Sequence, residues 1–262
     1  MIMKRISLLF GVLLFVVSGS YAAGRDFYQI KIYHLKNAEQ EQVVEGYLTN
    51  AYLPALHKAG IAKVGVFKNI KAADFNAAKD ERLIYVLVPF KSPADLLKLD
   101  EKLSKDKVYL TAGESYLNAA YNKPPYDRIE TILINAFENS KHFTLSGVTT
   151  PKSERVYELR SYEGPTEKLF KSKVKMFNTG DEIGLFKRLG FNAVFYGEVV
   201  AGTRMPNLMY LTTFDNKASR DQHWDAFVKD SQWKTLSAIE EYKNTVSKST
   251  ILFLYPADCS DL

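Results

Sequence analysis

The chain has 262 residues, 46% of them hydrophobic and 25% charged, with a formal net charge of +5 and one cysteine. That length suits one large domain or two of about 110–130 residues, with enough core to fold without a disulfide or metal staple. The lone Cys259 excludes an internal disulfide and a cysteine-based metal site, and interspersed charge without a basic block argues against a nucleic-acid partner.

The first residues read as an export leader. Lys4 and Arg5 form a positive start, residues 6–17 are apolar apart from Ser7 and Gly11, and Ser18, Gly19, Ser20, Ala22 and Ala23 supply small residues. A signal peptide over residues 1–22, cut after Ala22, is expected. The mature protein is then periplasmic or extracellular and, without Lys4 and Arg5, carries about +3. The apolar run is too short to span a bilayer comfortably, and no later stretch is long and apolar enough, so no membrane span is expected in the mature chain.

The elements then follow in order. Phe27–Leu35 alternates as a strand, with Tyr28, Ile30 and Ile32 on one face and Gln29, Lys31 and Tyr33 on the other. Asn37 with Gln40 opens a helix striped by Val44, Leu48, Ala51 and Leu56, which Pro54 bends or restarts and Gly60 ends. Residues 61–70 read as a strand. A polar loop ending in Asp80 and Glu81 leads to a strand over residues 83–90. Ser92-Pro93 opens a second helix, a short helical piece covers residues 108–120, and residues 129–137 form the fourth strand.

The same order returns after residues 138–154. A strand covers residues 156–162, and Thr166 caps a helix bearing Phe170, Val174 and Phe177 that Gly180 breaks. Strands over residues 191–200 and 208–214 follow. Ser219 caps a helix over residues 220–242, and residues 250–255 close the unit. Tyr28 pairs with Tyr157 and Tyr85 with Tyr210. The expected domains are residues 24–137 and 155–262, joined by a linker at 138–154.

A β-α-β-β-α-β unit makes a four-stranded antiparallel sheet with both helices on one face. The bare face must be covered, and the matching face of the other copy is nearest. The expected fold is therefore α+β: tandem ferredoxin-like repeats whose two antiparallel sheets face each other as a barrel within one chain, a pseudo-dimer. Further homodimerisation is left open.

The second copy resembles a NIPSNAP domain. The likeness rests on Tyr157-Glu158-Leu159-Arg160-Ser161-Tyr162, Met176-Phe177-Asn178-Thr179-Gly180, residues 186–190, Pro206-Asn207-Leu208 before Tyr210, and Trp233-Lys234. The first copy is similar to the exported bacterial form through Pro124-Pro125-Tyr126, Arg128, Glu130, Ala136 and Phe137. The resemblance implies a dimeric α/β-barrel fold, in a superfamily holding cofactor-free monooxygenases and haem-dependent relatives. It implies no agreed chemistry, and fold analogy alone cannot supply a reaction.

The residues that could carry chemistry are few. Glu158, Arg160 and Tyr162 alternate on one face of their strand, expected to point into the barrel, where charges are costly unless paired or solvated. They could hold a carboxylate or enolic ligand, or hold the sheets in register as an ion pair. Tyr196 with Glu198, and Tyr210, could line the same pocket, with core packing the alternative; Arg204 and Asn207 sit in a loop expected at the barrel mouth. The histidines, His34, His57, His142 and His223, show no metal-ligand spacing. His223 falls on a helix away from the barrel, so no haem or other cofactor is expected.

Three readings remain: a protein binding a small, partly apolar organic ligand in the barrel; a cofactor-free enzyme of monooxygenase or isomerase type using Glu158 or Tyr162 with Arg160; and a structural or interaction protein whose barrel is filled by its own side chains.

Overall fold

β1 (Phe27–Leu35) sends Tyr28, Ile30 and Ile32 to one face of its sheet and Phe27, Tyr33 and Leu35 to the other, so both faces of this strand are buried. The computed structural model describes residues 24–69 and 81–262. The expected signal peptide and Asp80 lie outside the described residues.

After β1, the Asn37 side chain accepts the Gln40 N–H at 2.9 Å and the Gln40 side chain accepts the Lys36 N–H at 2.8 Å, closing the first turn of α1 (Ala38–Tyr47). A π-helical turn at Leu48–Tyr52 leads into α2 (Leu53–Lys58), with Pro54 in its first turn, so the proline restarts the helix. β2 is shorter than its apolar run, Gly65–Asn69, because the C-terminal tail takes part of that edge: Val64 N–H donates to the Asp261 carboxylate and Val66 N–H to the Ser260 hydroxyl. β3 (Arg82–Phe90), α3 (Pro93–Ser104, capped by Ser92), α4 (Lys107–Ala112), α5 (Glu114–Leu117) and β4 (Arg128–Ala136) complete the first half.

The second half runs β5 (Val156–Glu163), α6 (Glu167–Asn178), α7 (Glu182–Arg188), β6 (Asn192–Ala201), β7 (Asn207–Phe214), α8 (Lys217–Lys229), α9 (Ser231–Ala238), a 3-10 turn and β8 (Lys248–Pro256). Gly180 stands at the break between α6 and α7, where a side chain is excluded because a Cβ would lie 2.5 Å from the Met176 carbonyl oxygen. The helix expected over residues 220–242 is instead three pieces. Asp230 is extended, and its carboxylate accepts the N–H of Gln232 at 2.8 Å, ending α8 and capping α9. The cap of α8 is Asn216 rather than Ser219.

The eight strands close an antiparallel barrel in the order β1-β3-β2-β8-β5-β7-β6-β4. Read by halves, the order is β4-β1-β3-β2 and β8-β5-β7-β6, the same arrangement twice. Two seams join the halves, β2 with β8 and β4 with β6. At the second seam the backbones approach so closely that a Cβ on Gly197 would lie 2.6 Å from the Asn135 carbonyl oxygen.

The register corrects one pairing. Ile30 faces Leu87 across β1 and β3, and Leu159 faces Leu211 across β5 and β7. Matching Tyr28 to Tyr157 therefore matches Tyr85 to Met209, not Tyr210. A slip of one residue reverses the face, and Tyr85 does point into the barrel while Tyr210 points to the helices.

Candidate functional site

The barrel interior is apolar and filled. Tyr28, Ile30, Tyr157, Leu159, Phe195 and Leu211 are among the side chains packed there. A cavity of only about 10 Å3 remains among Ile30, Phe67, Tyr85, Leu159 and their neighbours. That is room for one water at most, far below a ligand site of ~300–1,000 Å3. The barrel core that the described residues build therefore has no room for the ligand expected inside it.

Glu158, Arg160 and Tyr162 lie on one face, as their alternation requires, but the face is the opposite of the expected one. They point away from the barrel, into the layer beneath α6–α9. The physical reason is the supply of partners. The closed interior is mainly apolar, its polar groups being neutral ones such as the Tyr28, Tyr157 and Thr213 hydroxyls, whereas the helices bring counter-charges and donors. Glu158 is fully buried and is held by Arg160, by Arg220 through two nitrogens, and by the Trp224 indole N–H at 3.0 Å. The Arg160 guanidinium lies 3.5 Å from the centre of the Trp224 ring and donates to the Tyr162 hydroxyl at 3.0 Å. The Tyr162 and Tyr210 hydroxyls share a hydrogen bond of 2.8 Å. Burial opposes the Arg160 charge, but the oxygens of Tyr210, Tyr162 and Glu158 outweigh it and hold its pKa above the ordinary value. The matching residues of β1 behave alike: Lys31 reaches over the Tyr52 ring and Tyr33 packs among the helices of its half.

Beside this network, Lys173 of α6 donates to Glu182 of α7 at 2.8 Å, both nearly inaccessible. Burial pushes the Glu182 carboxyl above its ordinary pKa, against the pull of Lys173 and Arg160. Tyr196 stacks on Tyr210 with ring centres 5.5 Å apart, and Phe177 and Phe186 flank both. Burial raises the pKa of each of these two phenols, keeping them neutral. The layer is an aromatic and ionic core in which every formal charge has a partner.

The other expected site residues are dispersed. Glu198 pairs with Lys171 on the outer side of β6. Arg204 sits in the left-handed region at φ 66 and donates to the Thr250 hydroxyl at 3.3 Å. Asn207 is buried at the start of β7, exchanging hydrogen bonds with Ser161. Asn178 ties the linker to α6 by accepting the Asn139 N–H at 3.0 Å. The structure thus joins Glu158, Arg160, Tyr162, Tyr196 and Tyr210 in one layer and leaves Glu198, Arg204 and Asn207 outside it. The partners missing from the sequence reading are Arg220 and Trp224. Their spacing of four on one helix, with opposite-charge residues on β5, was the available signal.

A ligand-sized hollow lies elsewhere, on the first half. A pocket of about 410 Å3 opens between the turn after α2 and the face of α3. Ile61, Phe90, Leu99 and Phe143 supply apolar walls, and Lys63, Lys91 and Lys102 stand around it. At its end, buried Asp26 accepts from Lys91 Nζ at 3.0 Å, from His142 Nδ1 at 3.3 Å and from the Phe143 N–H at 2.9 Å. These bonds fasten the linker across the barrel end, where Phe143 packs on the interior core. No periodic pattern marks this pocket in the sequence, because its walls come from a turn, a strand end, a helix and the linker. Among the described residues, no group of three or more His, Cys, Asp or Glu is placed to hold a metal ion, and no helix is long and apolar enough to cross a membrane.

The family model NIPSNAP matches residues 157–261. A proposed monooxygenase of Fusobacterium nucleatum superposes with a TM-score of 0.55 at 8% identity, covering 89% of this chain and 93% of its own. A proposed monooxygenase of Lactobacillus acidophilus gives 0.53 at 11% identity, covering 88% and 94%. A NIPSNAP family protein of Agrobacterium tumefaciens gives 0.36 at 19% identity, covering 42% of this chain and 99% of its own. The first two show a shared barrel fold. No curated protein matches the sequence.

Proposed function

We propose, from the NIPSNAP domain that residues 157–261 form, that this protein is an exported, tandem NIPSNAP-like chain binding a small, partly apolar organic ligand outside its barrel. The tandem reading, residues 24–137 and 155–262 joined by 138–154, is supported by the strand order that recurs in the two halves. Export rests on the leader over residues 1–22. The observation that carries the ligand reading is the contrast in room: about 410 Å3 in the α2–α3 pocket against about 10 Å3 in the barrel core.

Glu158, Arg160, Tyr162, Tyr196 and Tyr210 are better read as the packed ionic core of the second half. The enzyme reading has less support, since Glu158 is enclosed by Arg160, Arg220 and Trp224 and a reacting group there would have no space. The structural reading draws on the filled barrel, and in it the α2–α3 pocket stays empty. Native mass spectrometry of protein recovered from its export compartment separates the two. The expected chain begins at Ala23 and carries a small-molecule mass that an Ala62→Trp variant, which crowds the pocket, fails to retain. A ligand-free mass, with no thermal shift against a panel of small organic compounds, supports the structural reading instead.

A further inference from the structure

We infer that the ligand of the α2–α3 pocket is a free, unbranched organic monocarboxylate, its apolar tail lying along the trough and its carboxylate among the lysines; this rests on the ligand reading above and names its chemical class.

Shape and charge carry the inference. The pocket does not stand alone. A second hollow of about 280 Å3 shares Ala59 and Lys102 with it and continues between α2 and the end of α3, floored by Ala55 and Leu103. A trough of two joined hollows with an apolar floor fits an elongated tail better than a compact ring. Its rim is cationic. Lys91 is already engaged by Asp26, and Lys58 by Asp106 at 2.7 Å. Asp95 turns to its own cap, accepting the Ser92 hydroxyl at 2.8 Å. Lys63 and Lys102 have no ion-pair partner among the described residues. With Glu101, which pairs Lys105 at 2.6 Å, the two joined hollows hold five lysines against four carboxylates, an excess of one positive charge. That excess complements a monoanion rather than a phosphate dianion. Lysine stems also lie along apolar surface while their heads stay in water, so the same residues cover the tail and meet the carboxylate.

The test is isothermal titration calorimetry on the mature protein with decanoate, decanol and decyltrimethylammonium, which share a tail and differ in head charge. Decanoate should bind at least about tenfold tighter than decanol, and the cation should be excluded; tenfold corresponds to about 1.4 kcal/mol. Lys63→Glu with Lys102→Glu should cost decanoate about tenfold or more, and decanol, which loses only contact with the lysine stems, much less. Raising the salt should weaken decanoate alone. Ala62→Trp should weaken both. Equal binding of decanoate and decanol, both lost in Ala62→Trp, overturns the anion inference and leaves the pocket as a ligand site. Binding of none of the three overturns the inference and removes the support for the ligand reading. Circular dichroism of each variant confirms that fold is kept, which the exposed positions of Lys63, Lys102 and Ala62 allow.

Discussion

Arg160 sits at the centre of the buried network of the second half, donating to Glu158 and to the Tyr162 hydroxyl and lying 3.5 Å from the centre of the Trp224 ring. Its alternation with Glu158 and Tyr162 placed the three on one face, and they do share one. Which face it was depended on Arg220 and Trp224, which reach Glu158 from 62 and 66 residues away. Because Arg160 bridges Glu158, Tyr162 and the Trp224 ring, Arg160→Ala leaves a buried carboxylate short of a donor. Urea denaturation should show a loss of about 3–5 kcal/mol, the cost of breaking a buried pair by removing one member. Ligand uptake by the folded fraction should be unchanged, since the α2–α3 pocket lies in the other half. A variant of wild-type stability that loses ligand would place Arg160 in a binding site after all.

At the scale of elements, local signals carried most caps and breaks. Asn37, Ser92 and Thr166 cap the helices they precede, and Gly180 ends α6. One misplaced boundary is tertiary in origin, since the C-terminal tail shortens β2, and one is local, since Asp230 caps α9 through the N–H of Gln232 and so divides it from α8. One contact between elements is open to titration. Glu41 of α1 bonds to Lys68 of β2 at 2.9 Å and to Arg82 of β3 at 2.5 Å. Burial alone would push the Glu41 carboxyl up, but the two cations outweigh it and hold its pKa below the ordinary 4.5. A carboxylate with a depressed folded pKa stabilises the fold above its unfolded pKa, and that contribution is lost as pH falls through the folded one. Unfolding free energy measured from pH 6 down to pH 3 should therefore fall less steeply in Glu41→Gln than in the wild type. Parallel curves would show that the three charges act independently of folding.

For the whole molecule, the barrel is closed by two seams and filled by side chains from both halves. Neither half can hide Tyr28, Ile30, Tyr157 or Leu159 without the other. Residues 24–137 and 155–262 made separately should each self-associate, and their mixture should form a heterodimer in sedimentation velocity. Two stable monomers that ignore each other would contradict a shared core. The exposed sheet face is what makes association favourable, since its apolar area gains from leaving water.

The element order and the two-faced alternation of the strands were legible in the residues alone, because caps, glycine breaks and period-two patterning are local. The residues also indicated a NIPSNAP-like second half, which the family match at residues 157–261 bears out. Which strand face turned inward, how tightly the barrel filled and where a ligand-sized hollow remained were set by the folded chain as a whole. Those outcomes depend on side chains that meet across long stretches of chain. A buried charge goes to the side where its partners are, and an apolar interior closes until little empty volume is left.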